Sequence, residues 1–254
     1  MSKELNACLK ELKLPTVYGS YEEQAEKARR EHHGYEQYLG ELMEGELEAR
    51  KEKRIGRYLR ESRLPLEKNL ESFERDKLPG KVDMQVSALL DGSFLDRTEN
   101  VLAFGNPGSG KSHLLCAIGQ ELVYQERRIY FRRCDVLVQE LLSAKRELEL
   151  VRVLKHLSKY DAIVIDDIGY VQQSREEMEV LFSLLADRYE KASVMLTSNL
   201  AFSEWEKIFK DPMITAAAID RLVHHSIILE LNIPSYRLAV AQRRNKGSSK
   251  KAER

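Results

Sequence analysis

Residues 105–112 read Gly105-Asn106-Pro107-Gly108-Ser109-Gly110-Lys111-Ser112, a G-x-x-x-x-G-K-[ST] run placed directly after the apolar stretch Val101-Leu102-Ala103-Phe104. No other feature constrains the fold as tightly. The pattern needs a strand that stops at a glycine, a loop whose backbone N–H groups converge on one point, and a helix that starts at the lysine. Leu114, Leu115, Ile118 and Leu122 carry helical spacing onward from it. In such a loop the backbone from Gly105 to Gly110 cradles a triphosphate. Lys111 brings a point charge to the outer phosphates, and the Ser112 hydroxyl is placed for Mg²⁺. The run predicts a nucleotide-binding protein.

From Asn100 onward, short β-rich runs alternate with helical stretches, the pattern of a three-layer α/β domain on a mainly parallel sheet. Five strands are predicted, at 101–104, 128–132, 161–166, 193–198 and 226–231. Helices are predicted between them at 111–125, 136–158 with a break near Lys145-Arg146, 175–190, and 203–223 with a break at Asp211-Pro212. Trp205, grouped with Ile208 and Phe209, reads as core. Upstream, Leu5, Leu9 and Leu12 form one helical stripe that Pro15 ends or interrupts. A second helix is predicted at 35–62, weakened at Gly40, Gly45 and Gly56 and closed by Leu64-Pro65. The organisation predicted is a small all-helical domain at 1–66, a connector at 67–98, an α/β domain at 99–234 and a basic tail at 235–254.

The formal net charge is zero, yet seven Lys or Arg stand after Pro234 against the single Glu253. Cys8, Cys116 and Cys134 are widely spaced, without Cys-x-x-Cys or a Cys/His grouping, and read as reduced structural thiols. His32-His33 and His224-His225 read as non-ligands, because adjacent histidines on a helix point apart and lack carboxylate partners at suitable spacing. No secretory segment and no membrane span is read, so the chain is expected to be cytoplasmic.

Three further groups of residues carry chemistry. Asp161-Ala-Ile-Val-Ile-Asp166-Asp167 is a buried strand that delivers carboxylates at its C-terminal end. Asp166 is expected to hold Mg²⁺ through its water shell, and Asp167 to orient or deprotonate an attacking water. Thr197-Ser198-Asn199 ends the fourth strand, with Asn199 the candidate to face the γ-phosphate. Arg221, beside Asp220 on an apolar helix, is placed either to reach a neighbouring subunit's γ-phosphate or to form a salt bridge.

These elements, in this order, resemble an AAA+ ATPase of the replication-initiator and helicase-loader group. The text around them is more similar to the IstB family, ATPase helpers of IS21-type transposition. The similar text comprises Leu9-Lys-Glu-Leu-Lys-Leu-Pro15, Leu59-Arg-Glu-Ser-Arg-Leu-Pro65, Leu70-Glu-Ser-Phe73, Ile165-Asp-Asp-Ile-Gly169 and Ala218-Ile-Asp-Arg-Leu-Val-His-His-Ser226. The resemblance runs from the first helix to about Arg244. It implies an AAA+ core that binds ATP and Mg²⁺, assembles as a homo-oligomer on duplex DNA, and recruits or activates a separate transposase. It also implies a Walker A role for Lys111 and Ser112, a Walker B role for Asp166 and Asp167, a sensor role for Asn199 and an arginine-finger role for Arg221. Many AAA+ proteins have Glu where Asp167 stands. Only residues 232–254 follow the fifth strand, so the usual helical lid is expected to be missing.

Two basic groups are candidates for DNA. Lys145, Arg146 and Arg152 lie where the initiator group carries an extra helical element, and Arg50, Lys53, Arg54, Arg57 and Arg60 recur at helical spacing. Aromatic residues are sparse there apart from Tyr58, which favours contact with a duplex backbone over stacking on single strands. A replicative helicase loader is the alternative function, although the N-terminal Cys cluster of some loaders is absent. A small-molecule kinase fits less well, since no acceptor lid is evident. No nuclease constellation stands out, so cutting is expected to belong to a partner.

Overall fold

The structure is a computed structural model that describes residues 2–169, 174–205 and 212–235. The chain divides into two compact units, Met1–Arg57 and Tyr58–Arg254.

The first unit holds α1 (Ser2–Glu11), α2 (Pro15–Glu31) and the greater part of α3 (Tyr35–Ser62). Pro15 begins a helix here, because at the first helical position its missing N–H belongs to the set that has no partner anyway. Of the leucine stripe only Leu9 is buried, while Leu5 and Leu12 are exposed. Leu9 meets Val17 and Leu42 in a small core edged by Leu14, Tyr21, Tyr38 and Met43. The start of α2 is capped from α3: the buried Glu46 carboxylate accepts from the N–H of Thr16 at 2.8 Å and of Val17 at 3.2 Å. Arg50 Nε donates to the same carboxylate at 2.9 Å. α3 runs unbroken through its three glycines, each costing about 1 kcal/mol relative to alanine.

In the second unit the strands β1 (Asn100–Gly105), β2 (Ile129–Arg133), β3 (Ala162–Ile168), β4 (Ser193–Ser198) and β5 (Ser226–Leu231) form one sheet in the order β2-β3-β4-β1-β5. Every pairing is parallel. Leu102, Ile163, Ile165 and Leu196 are fully buried, as expected of strands covered on both faces. α6 (Lys111–Tyr124), α7 (Cys134–Arg146), α8 (Leu150–Leu157), α9 (Arg175–Arg188) and α10 (Pro212–Val223) supply the layers. The stretch read as one interrupted helix over 136–158 is two, α7 and α8, parted at Leu148 with φ +61°. Trp205 is fully buried against Phe104 and Phe202, with ring centroids at 6.4 and 5.2 Å. Ile208 and Phe209 lie outside the described residues, as does the basic tail beyond Ser235.

Residues 67–98 are part of this unit's packing. They hold a 3₁₀ turn at Arg75–Lys77 and two helices, α4 (Gly80–Leu89) and α5 (Ser93–Asp96), with Val82, Val86, Leu89, Phe94 and Leu95 buried. Gln85 Nε2 ties α4 to the Ile228 carbonyl of β5 at 3.2 Å. The unit boundary falls at Arg57/Tyr58 and not after residue 66, because Leu64 packs on Gly119 of α6 and Gln120 Nε2 binds the carbonyls of Pro65 and Lys68.

Two polar side chains, Asn100 and Arg188, tie down the backbone at the N-terminal edge of the sheet. Asn100 Nδ2 donates to the Leu222 carbonyl at 3.0 Å, and its Oδ1 accepts from the Val194 N–H at 2.8 Å. Arg188, 2% exposed, donates to the carbonyls of Leu157, Tyr160, Asp161 and Ser193. Burial lowers its pKa to about 10, which leaves it a cation at neutral pH.

Candidate nucleotide site

The opposite, C-terminal edge is built differently. β1 ends at Gly105, and a Cβ there would stand 2.3 Å from the Leu231 carbonyl oxygen of β5. Gly110, with φ +92°, turns the chain into α6 and faces the Phe73 ring at 3.1 Å from where its Cβ would be. Only glycine fits both places. Lys111 Nζ folds back on the loop and donates to the carbonyls of Gly105 at 2.8 Å and Asn106 at 3.0 Å.

The sheet order puts β4 between β1 and β3, so the carboxylates of β3 reach the loop across β4. A register shift between Ile165 and Ile168 in the β3·β4 pairing marks the place where they emerge. Asp166 is buried, and its Oδ1 accepts from Thr197 Oγ1 at 2.6 Å. The same hydroxyl oxygen accepts from the Asp167 N–H at 2.7 Å. Asp167 is exposed and sits at φ +68°. Thr197 therefore holds both carboxylate positions, a role the strand-end spacing did not single out. The signal was present in the polar Thr197-Ser198-Asn199 run.

A cavity of about 720 Å³ opens here, lined by the loop from Pro107 to Ser112, His113, Asp167 and Asn199. Its volume suits a nucleotide-sized ligand. Among the described residues, Asn199 Oδ1 and Ser109 Oγ are buried without a hydrogen-bond partner, and here, beside the cavity, a ligand could supply one. Residues of the 67–98 segment form the facing wall: Lys68, Ser72, Phe73, Glu74 and Lys77. The Phe73 ring meets His113 edge-on at 5.2 Å, and His113 Nε2 lies 2.9 Å from the Asn69 carbonyl oxygen. Sequence reading noted Leu70-Glu-Ser-Phe73 only as similar text and missed this wall. The residues fit ATP and Mg²⁺: the glycines leave room for phosphates, Lys111 supplies charge, and Ser112 and Asp166 are oxygen donors of the kind that Mg²⁺ takes.

Arg221 is elsewhere. Its carbonyl accepts from Asn100 Nδ2 at 3.4 Å, at the start of β1, and β1 carries the phosphate loop at its other end. Asn100 and Gly105 are the two ends of this six-residue strand, about 17 Å apart. The guanidinium donates to Ala217 O at 2.9 Å and lies over the Phe182 ring at 4.9 Å.

Lys145, Arg146, Arg152 and Arg50 are paired with acids. Lys145 meets Glu179 at 3.0 Å, Arg146 meets Glu176 at 3.6 Å, and Arg152 meets Glu149. Arg50 is committed inside the helical unit to Glu46 and to the Lys13 carbonyl. Lys53, Arg54, Arg57 and Arg60 are exposed on α3. Among the described residues no helix is long and apolar enough to cross a membrane. His224 and His225 lie just past the end of α10, and their ring centroids are 4.1 Å apart, so the expectation that the pair diverges on a helix is corrected.

A family model described as IstB-like ATP binding protein matches residues 7–245. A protein of Sinorhizobium fredii named as an insertion sequence ATP-binding protein is 43% identical over 96% of this chain and 83% of its own length. One of Pseudomonas aeruginosa, named for ATP binding and for insertion sequence IS21, is 38% identical over 92% of this chain and 89% of its own. Among solved structures, the DnaC helicase loader superposes with a TM-score of 0.55 at 17% identity, covering 70% of this chain and 99% of that one. AMPPCP-bound DnaA from Aquifex aeolicus also reaches 0.55 at 17% identity, covering 73% and 56%. The fold is that of the AAA+ proteins.

Proposed function

We propose that this chain, which belongs to the IstB-like ATP binding protein family, is an Mg²⁺-dependent ATPase that assembles on duplex DNA and recruits or activates a separate transposase. The observation that carries the reading is the shared cavity: Lys111 and Ser112 of the phosphate loop, Asp167 and the unpartnered Asn199 line one space, with Asp166 held behind it by Thr197. A site for binding alone needs the first two residues. The others suit hydrolysis. Mg²⁺, when bound, supplies charge compensation to the phosphates, and Ser112 and Asp166 are the residues that would hold it. Asp167 orients or deprotonates the attacking water, and Asn199 supplies a polar contact on the γ-phosphate side.

Arg221 stands at the far edge of its own sheet, which supports a role in a neighbour's site and hence a homo-oligomer. Such a finger is worth about 10³ to 10⁵ in rate where it is used. The loader reading shares the core, but the loader likeness is one of fold, whereas the relatives of high identity are named for insertion sequences. Contact with DNA is assigned to the exposed Lys53, Arg54, Arg57 and Arg60 and to Lys145, Arg146 and Arg152, whose exposed ion pairs, each worth about 0–1 kcal/mol, can exchange carboxylate for phosphate.

The test is ATP turnover and sedimentation with unrelated duplexes across a salt series. Log affinity should fall with log salt at about 0.9 per phosphate contacted, and Arg54→Glu with Arg57→Glu should flatten that slope while nucleotide affinity stays. Turnover by a dilute monomer, indifferent to DNA and to Arg221→Ala, would overturn the reading.

A further inference from the structure

The loop after α9 and the turn after α10 meet at the N-terminal edge of the sheet. There Glu190, His224 and His225 bring one carboxylate and two imidazoles together, all exposed, with ligating atoms within 4.8 Å of one another. We propose that this triad is a binding site for a divalent transition-metal ion of the Zn²⁺, Co²⁺ or Ni²⁺ class. Two nitrogen donors and one carboxylate suit that class, while Mg²⁺ and Ca²⁺ prefer all-oxygen sets.

The backbone that carries the ligands is fixed. The His225 carbonyl accepts from the Asn100 N–H at 2.7 Å, which pins it to β1, and the His224 N–H donates to Asp220 O at 3.0 Å. Glu190 sits at φ +57° in a turn closed by Lys191 and Ala192 N–H groups on the Arg188 carbonyl, at 3.0 and 3.1 Å. Arg188 is itself clamped by the carbonyls around it. Only side-chain rotation is left to close the site. Ligands of a tetrahedral ion, each about 2.0–2.1 Å from the metal, stand about 3.3 Å apart. Exposed side chains cover the remaining gap at little cost.

A supporting partner is also present. Tyr189 Oη lies 3.0 Å from His224 Nδ1, which leaves Nε2 for the ion and fixes the ring, the arrangement usual around metal-bound histidines. All three side chains are exposed, so water can complete the coordination. Tyr189, Glu190, His225 and Arg221 line one small cleft, so an ion here adds two positive charges beside Arg221.

The experiment uses the full chain with Cys8→Ser, to remove the exposed thiol. After chelator treatment it is titrated with Co²⁺ and read by visible absorption, then with Zn²⁺ by calorimetry. One equivalent per chain is expected, with visible bands of four- or five-coordinate Co²⁺, and His224→Ala with His225→Ala should weaken binding at least tenfold. Glu190→Gln should weaken it by a smaller factor, with melting of the apo variants checked against the parent. Binding no weaker in the double histidine variant, or a parent that takes up less than one equivalent, would overturn the site.

Discussion

The two edges of one sheet solve opposite problems. At the N-terminal edge, Asn100 and Arg188 spend their hydrogen bonds on backbone within the protein. At the C-terminal edge, glycines stand where a Cβ would collide, and among the described residues Asn199 Oδ1 and Ser109 Oγ are buried without partners beside a cavity, whereas Ser193 Oγ, likewise unpartnered at the start of β4, does not line it. A buried donor satisfied internally holds structure, whereas one left unpaired beside a cavity costs about 1–3 kcal/mol that a ligand can return. The comparison assigns stability to one edge and ligand binding to the other, and substitutions at the two should separate cleanly.

Lys111→Ala tests the C-terminal edge most severely. Removing the charge proposed to meet the outer phosphates should cost about 3–5 kcal/mol of ATP affinity, at least a hundredfold, with melting temperature little changed. Equilibrium binding of a fluorescent ATP analogue and a thermal melt check both halves of that statement. Arg188→Met is the reverse case. It strands several carbonyls and should lower stability by about 2–4 kcal/mol, seen as a shift in the urea midpoint, while the folded fraction binds ATP as before. Loss of ATP affinity at constant stability would blur the division.

Asp167→Asn keeps the backbone, which asparagine also tolerates at positive φ, and removes the negative charge. Turnover should fall about tenfold to a hundredfold at unchanged nucleotide affinity; normal turnover would take Asp167 out of the chemistry.

The smallest effect sharpens the contrast with the helical unit. Burial alone would raise the Glu46 pKa, but hydrogen bonds from Arg50, Val17 and Thr16 hold the carboxyl below its ordinary value of 4.5. A depressed carboxylate contributes stability above its unfolded pKa and loses it as pH falls through the folded one. Glu46→Gln should therefore cost about 1 kcal/mol at neutral pH, and the cost should vanish below the carboxylate range. A cost that persists at low pH would mean that shape, not charge, caps α2.

What the sequence made legible follows the physics of each element. The strands were read to within two residues, since buried parallel strands show as continuous apolar runs: 101–104 became Asn100–Gly105, and 193–198 and 226–231 stand as read. α2 was not seen. Its buried residues are only Val17 and Ala28 among many charges, and Pro15, which follows the end of the first helix as expected, also opens the next. The phosphate loop was legible because close backbone approach demands glycine at fixed places. Thr197, Phe73 and His113 were not, because their roles arise from strand order and from the 67–98 segment folding over α6, neither of which leaves a local pattern.

The left-handed backbone at Asp167 has a consequence for how this site can change. A glutamate there would extend the carboxylate by one methylene toward the cavity, and although positive φ favours Asp and Asn among side chains that carry a Cβ, this chain holds glutamate in that region twice, at Glu126 with φ +66° and Glu190 with φ +57°. The backbone does not bar the step from Asp to Glu, since the N–H at this position keeps its bond to Thr197 Oγ1 whichever acid stands there, beside the register shift between Ile165 and Ile168. An exchange of Asp for Glu at position 167 thus changes the reach of the acid while leaving the strand beside it as it is.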